Sequence, residues 1–146
     1  MVTAVIVAAG SGTRMEGEKD KLFLKVNQLP VIGHTWRNFD QHPDIDEIVL
    51  VVRDDVGPAF EALAHELSPN KPFSFIVGGQ ERQDSVRNGI MAASDGCDIV
   101  AVHDGARPCV DAETISRTIK TAKEHGASVA ATKIVDTIKL SDGNAC

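Results

Sequence analysis

A glycine-rich stretch near the N-terminus carries the residue types best suited to chemistry. It reads Ala8-Ala9-Gly10-Ser11-Gly12-Thr13-Arg14-Met15, and Lys21 follows shortly after it. Glycine has no Cβ, so backbone N–H groups in such a loop can approach an anion closely. Arg14 and Lys21 add positive charge, and a guanidinium group binds phosphate oxygens through two parallel hydrogen bonds. The stretch therefore predicts a phosphate-binding loop.

Two common phosphate loops do not fit this stretch. The P-loop pattern needs a Gly-Lys-Ser/Thr run, which the stretch lacks, and the dinucleotide fingerprint needs a third glycine where Met15 stands. The loop by itself is equally compatible with an ordinary strand-to-helix turn that carries solvated basic residues. Whether this loop binds phosphate therefore depends on the residues that other parts of the chain place beside it.

The length and the composition favour a single globular domain. The chain has 146 residues, of which 42% are hydrophobic and 25% charged. A net charge of −6 and an aromatic content of 4% argue against a nucleic-acid surface. Three cysteines without metal-ligand spacing indicate reduced thiols. With no signal peptide or membrane-spanning run, we expect a cytoplasmic protein, or a plastid stromal one after removal of a transit peptide.

Strands and helices alternate along the chain, which predicts an α/β fold with a parallel sheet covered on both faces. Apolar β-branched runs predict strands over residues 2–9, 47–53, 73–77, 98–103 and 128–134, and a short strand within 22–26. Helical spacing of apolar residues predicts helices over about 31–41, 56–67, 83–93 and 112–125. In the third of these helices we expect Val86, Ile90 and Met91 to face inward.

Two more loops with suitable residues follow predicted strands, where open parallel sheets bind their ligands. One is Gly78-Gly79-Gln80-Glu81-Arg82, with Ser85 close behind. Its paired glycines and the following helix N-terminus suit an anion, and Ser85 could cap the helix or bind a base. A plain glycine turn with a capping cluster is the alternative for this loop.

The other loop is Val102-His103-Asp104-Gly105-Ala106-Arg107-Pro108. Asp104, at a strand's carboxyl end, suits Mg²⁺, which commonly links one or two carboxylates to substrate phosphates. Alternatively Asp104 begins a turn or pairs with Arg107, and we interpret His103 as a structural residue. Donors, cations and one acid suit nucleotidyl transfer, where catalysis is mostly positioning and charge stabilisation.

Together the loops resemble the 2-C-methyl-D-erythritol 4-phosphate cytidylyltransferases of non-mevalonate isoprenoid biosynthesis. The matching runs are Ala8 to Met15, Lys21, Gly78 to Arg82 with Ser85-Val86, Val102 to Pro108, and Asp136-Thr137-Ile138-Lys139. The resemblance implies a three-layer α/β/α Rossmann-like nucleotidyltransferase fold with a mostly parallel sheet. It also implies Mg²⁺-dependent transfer of CMP from CTP to the sugar-alcohol phosphate, with release of pyrophosphate, by a homodimer.

The resemblance further implies a role for each matched residue. Arg14 and Lys21 would be catalytic, stabilising charge on the phosphorus under attack. Asp104 would bind Mg²⁺, while Arg107 and Thr137 would face the sugar-phosphate substrate. The implied nucleotide contacts are Ala8, Ala9, Gly10, Ser11, Gly12, Gly78, Gly79, Gln80, Arg82, Ser85 and Gly105.

The chain departs from the family pattern in two places. Asp20 and Leu22 flank the lysine, where the family usually has Pro and Gln, and the chain stops at Cys146, where the family continues into a dimerisation arm and a final helical segment. We therefore expect residues 1–146 to form one truncated nucleotidyltransferase domain that binds nucleotide but turns over poorly. A cytidylyltransferase for another polyol phosphate, such as ribitol 5-phosphate, and a non-catalytic nucleotide-binding module are the alternatives.

Overall fold

The computed structural model describes residues 1–10 and 20–138, and four parallel strands form its central sheet. The order across this sheet is β5-β4-β1-β6, and a separate antiparallel pair consists of β2 and β3. The strands are β1 (Val2–Val7), β2 (Lys25–Val26), β3 (Leu29–Pro30), β4 (Glu47–Val52), β5 (Phe73–Val77) and β6 (Ile99–Asp104). The predicted parallel α/β fold is confirmed.

Helices cover both faces of the sheet. They are α1 (Val31–Asp40), α2 (Gly57–Leu67), α3 (Arg82–Met91) and α4 (Ala112–His125), with 3₁₀ turns at Lys21–Phe23 and Asp54–Val56. Apolar residues of α1, α2 and α4 pack in one core cluster, and α3 packs on the opposite face. In the described part of the chain no helix is both long enough and apolar enough to cross a membrane.

The central strands are apolar on both sides because the sheet has two covered faces. In β1, Ala4 and Ile6 belong to the cluster that contains Trp36, whereas Val5 belongs to the cluster on the α3 side. All four side chains are fully buried. This arrangement fixes β1 in the middle of the sheet and holds its carboxyl end rigidly.

The predicted inward face of α3 is wrong. Ile90 and Met91 are exposed and Val86 is only half-buried, whereas Ser85 and Gly89 are the buried residues of this helix. A Cβ on Gly89 would lie 2.8 Å from Val51 Cγ2, inside ordinary van der Waals contact. The helix therefore lies close to the sheet through small residues, an arrangement that apolar spacing does not reveal.

The predicted strand over 128–134 is also wrong. Residues 127–138 contain no strand or helix, and Val129 is 83% exposed. The strand preference of β-branched residues depends largely on packing against a neighbouring strand. Residues 128–134 have no neighbouring strand in the described part of the chain. Within the predicted 22–26 strand only Lys25–Val26 pairs as a strand, because Asp20 accepts a hydrogen bond from the Leu22 amide and caps a 3₁₀ turn over Lys21–Phe23.

Helix ends follow the sequence more closely. The Asp111 side chain accepts from the Thr114 amide at 2.6 Å at the start of α4, and Gly126 ends that helix with φ of 85°. This left-handed conformation carries little steric cost for glycine. Local contacts therefore define both ends of α4, and a short loop joins this helix to β6.

Candidate functional site

A cavity of about 650 Å³ lies at the carboxyl ends of the strands. The chain order reverses between β1 and β6, because β4 and β5 lie on one side of β1 and β6 lies on the other. Ligands of open parallel sheets bind at such a reversal. The cavity therefore occupies the position where the fold itself favours binding.

Loops from distant parts of the chain line this cavity. Several predicted site residues line it, namely Ala9, Gly10, Lys21, Gly79, Gln80, Arg82, Ser85, Asp104 and Arg107. Others lie behind the wall or elsewhere: Ala8 and Gly105 are buried, and Thr137 is in the exposed segment 127–138. The predicted roles of Ser11, Gly12 and Arg14 fall outside the described residues.

Gly78 brings the first and second loops together. A Cβ on this residue would lie 2.8 Å from Ser85 Oγ and closer still to the Ala9 Cβ. The glycine therefore allows the chain after β5 to touch the chain after β1 without a gap. This contact defines the inner wall of the cavity.

Ser85 ties the glycine loop to α3. Its hydroxyl accepts a hydrogen bond from the Gly79 amide at 3.1 Å, and the side chain is buried. Ser85 does not cap the helix, because the N-cap is Glu81, whose amide donates to Asp84 Oδ2 at 3.1 Å. The N-terminus of α3 carries the positive end of the helix dipole, and Arg82 and Ser85 in its first turns line the cavity.

Two arginines hold the carboxylate of Asp104. Arg82 donates to Oδ1 from Nη2 at 2.8 Å and from Nε at 3.1 Å, and Arg107 Nε donates to Oδ2 at 2.9 Å. Partial burial raises the pKa of Asp104, but the hydrogen bonds from both arginines outweigh it and hold this pKa below its usual value. Asp104 is therefore an ionised carboxylate in the cavity wall.

His103 does not line this cavity and packs on the core residue Phe39. Its ring packs on Phe39 with centroids 5.0 Å apart, and Nε2 donates to the Arg107 carbonyl at 3.1 Å. Burial lowers the pKa of this imidazole, with Asp104 acting in the opposite direction. These contacts agree with the structural interpretation of His103.

Sequence reasoning missed Arg53, which connects Gly10 with Asp20, the residue that precedes Lys21. Arg53 Nη1 donates to the Gly10 carbonyl at 3.2 Å and to Asp20 Oδ2 at 2.8 Å. It therefore connects the residues on either side of the segment 11–19. Arg53 directly follows β4, so the rule that site residues follow strands would have found it.

The donor set tests whether magnesium fits the cavity. Among the described residues no three His, Cys, Asp or Glu side chains come together as a metal site. Mg²⁺ in phosphate-transfer sites uses one or two carboxylates and takes its other ligands from substrate and water. Asp104, facing the same cavity as Lys21, fits such a substrate-bridged ion and does not fit an all-protein site.

Comparisons with known proteins identify relatives of this chain by sequence. The family described as IspD, 2-C-methyl-D-erythritol 4-phosphate cytidylyltransferase, matches residues 2–146. A cytidylyltransferase of that description from Bacillus cereus is 43% identical over 95% of this chain and 61% of its own length. One from Clostridioides difficile is 42% identical over 98% of this chain and likewise 61% of its own length.

A solved structure agrees as well. The 4-diphosphocytidyl-2C-methyl-D-erythritol synthase of Anaerococcus prevotii superimposes with a TM-score of 0.84 at 29% identity, over 97% of this chain and 60% of the other. The chain thus spans about three fifths of the length of these relatives. By sequence and by fold, the chain belongs to the 2-C-methyl-D-erythritol 4-phosphate cytidylyltransferase family.

Proposed function

We propose that this chain binds CTP and takes part in the transfer of CMP to 2-C-methyl-D-erythritol 4-phosphate, with release of pyrophosphate. The observation that carries the proposal is the meeting of three loops in one cavity at the reversal of the sheet. Membership of the family supports the choice of reaction.

The cavity has separate parts for the base and for the phosphates. Ala9, Gly79 and Ser85 form its small-residue wall, where backbone groups and one hydroxyl can read a pyrimidine edge. A wall held this tightly excludes the larger purine ring by shape. Lys21 and Arg82, which line the same cavity, supply positive charge for the triphosphate.

The acceptor phosphate oxygen attacks the α-phosphorus of CTP in line, and pyrophosphate leaves. Lys21, and by family resemblance Arg14, stabilise the charge that develops on the phosphoryl oxygens, which is the main form of catalysis for such transfers. Asp104 would hold Mg²⁺ when it is bound, and the ion would neutralise charge on the triphosphate. Arg107 and Thr137 would contact the acceptor.

We assign the domain limits and the assembly on the same basis. Residues 1–146 correspond to the nucleotide-binding part of the family's domain, and a homodimer is the proposed assembly of the complete enzyme. The proposed location is the cytoplasm.

Thermal protection by CTP, UTP, GTP and ATP, each with and without Mg²⁺, tests nucleotide recognition. Binding to the native state raises the unfolding temperature by mass action. We expect selective protection by CTP that is larger with Mg²⁺. Equal protection by all four nucleotides, or by none, would contradict the proposed base site.

Pyrophosphate release tests the reaction itself, with the Bacillus cereus relative as positive control. Lys21→Gln should lower the rate about 100-fold or more, as expected when a charge contact in the transition state is lost. Lys25→Gln is the matched control, because Lys25 is exposed on β2 and does not line the cavity. Turnover with ribitol 5-phosphate but not with methylerythritol phosphate would replace the proposed acceptor.

A further inference from the structure

Asp104 has both carboxylate oxygens engaged by different arginines. Arg82 takes Oδ1 through two nitrogens, and Arg107 takes Oδ2 through one. One negative charge therefore lies between two positive ones. Asp104 and its two guanidinium partners together carry a net positive charge. This charge repels a divalent cation that approaches the carboxylate and so opposes its binding.

Arg82 is well placed to leave Asp104. Its side chain is 63% exposed and lines the same cavity as Lys21. An ion pair this exposed contributes little free energy, so breaking it costs little. A triphosphate carries more charge than a carboxylate and accepts the same two-pronged hydrogen bonding from a guanidinium group.

We propose that Arg82, Asp104 and Arg107 form a charge latch, in which a bound triphosphate draws Arg82 from Asp104 and thereby frees Oδ1 for Mg²⁺. The latch rests on the proposed function, because it assumes that the cavity takes a nucleoside triphosphate. It makes Arg82 a positioning residue for the metal ligand as well as a phosphate contact. Metal and triphosphate then assist each other's binding, and this coupling is reciprocal.

The closed state of the latch is tested with Mn²⁺, which electron paramagnetic resonance detects directly, on the nucleotide-free chain. Arg82→Gln should bind Mn²⁺ about fivefold more tightly than wild type, the upper end for loss of an exposed ion pair. Arg82→Lys keeps the charge but not the fork, and its gain should be smaller than that of Arg82→Gln. Addition of Asp104→Asn to Arg82→Gln should abolish the gain.

Arg87→Gln is the matched control, because it removes the same charge from an exposed position of the same helix. This variant should bind Mn²⁺ as wild type does. If neither Arg82 variant binds Mn²⁺ more tightly than wild type, Arg82 does not restrain the metal ligand and the latch is refuted. An equal gain in Arg82→Gln and Arg87→Gln also refutes it, because bulk charge then explains the effect.

The opening of the latch is tested with tripolyphosphate in the absence of metal. The Arg82 Nε–H resonance, which reports its hydrogen bond to Asp104, should shift on saturation in wild type and shift much less in Asp104→Asn. An unmoved resonance, or no binding of tripolyphosphate, overturns the proposal. Neither arm uses cytosine or an acceptor, so loss of CTP selectivity would remove the proposed function and leave the latch intact.

Discussion

Substitution of Gly78 by alanine tests whether the loops after β1 and β5 are packed as described. The added Cβ would lie 2.8 Å from Ser85 Oγ and closer to the Ala9 Cβ, where ordinary contacts lie at 3.4–4 Å. Relief requires about 1 Å of separation between the two loops. Overpacking of this kind costs about 1–3 kcal/mol of unfolding free energy. At the scale of this chain that corresponds to a drop of roughly 3–10 °C in Tm.

Urea unfolding followed by circular dichroism measures the loss, and thermal protection by CTP measures the effect on the cavity. Gly10→Ala is the matched control, since a Cβ there meets nothing within 4 Å among residues 1–10 and 20–138. We expect this control to unfold within about 0.5 kcal/mol of wild type. A Gly78→Ala protein with wild-type stability and wild-type CTP protection would show that the two loops are not in contact, and the account of the cavity wall would be wrong.

Three further predictions concern the elements around the cavity. Gly89→Ala should lose about 1–3 kcal/mol of unfolding free energy, because the new methyl group meets Val5 and forces α3 off the sheet. Burial lowers the pKa of His103 below its ordinary 6.5, so below about pH 6.5 the unfolded chain binds a proton that the folded protein does not. Unfolding free energy should therefore fall as pH drops through this range, and more steeply than in His103→Gln, as urea titrations at several pH values would show. Asp20→Asn removes the ion pair with Arg53 but keeps a capping side chain, and should weaken CTP binding about threefold to tenfold by calorimetry, the range for one ordinary hydrogen bond.

Each of these predictions has a control or a contrary result. Gly57→Ala, at a helical glycine whose Cβ would meet nothing within 4 Å, should not destabilise the protein. Parallel pH profiles for wild type and His103→Gln would contradict a lowered pKa of the half-buried His103 imidazole. Asp55 is the other carboxylate partner of Arg53, and the Asp55 side chain is 70% exposed. Asp55→Asn should therefore leave CTP affinity nearly unchanged. Wild-type CTP affinity in Asp20→Asn would mean that the ion pair between Asp20 and Arg53 does not support the cavity beside Lys21.

The sequence predicts much of this fold because burial on two faces leaves a clear pattern. Continuous apolar runs such as Glu47–Val52 locate the central strands, and Asp111 and Gly126 locate both ends of α4. The errors have physical causes as well. Helix α3 packs through Ser85 and Gly89, which carry no hydrophobic signal, and the run over 128–134 has strand-forming residues but no neighbouring strand.

The functional site was likewise predicted only in part from the sequence. Loop position after a strand predicts that Lys21, Gly79 and Asp104 share one cavity, because parallel strands end at one edge. The pairing of Arg82 with Asp104 was not foreseen, since side-chain partners from different loops depend on register and distance. Arg53 was missed although it follows a strand, because no motif draws attention to it.

The register of β1 with β6 has a consequence for how the protein is made. Val2 pairs with Ile99 and Val7 with Asp104, so the first strand completes its hydrogen bonding only when the sixth has been synthesised. Contacts between such distant residues form slowly, because a long loop must close before they gain anything. During translation β1 can pair with β4 earlier, which leaves its other edge open. The cavity at the junction of β1 and β6 therefore cannot be complete before β6 has been synthesised.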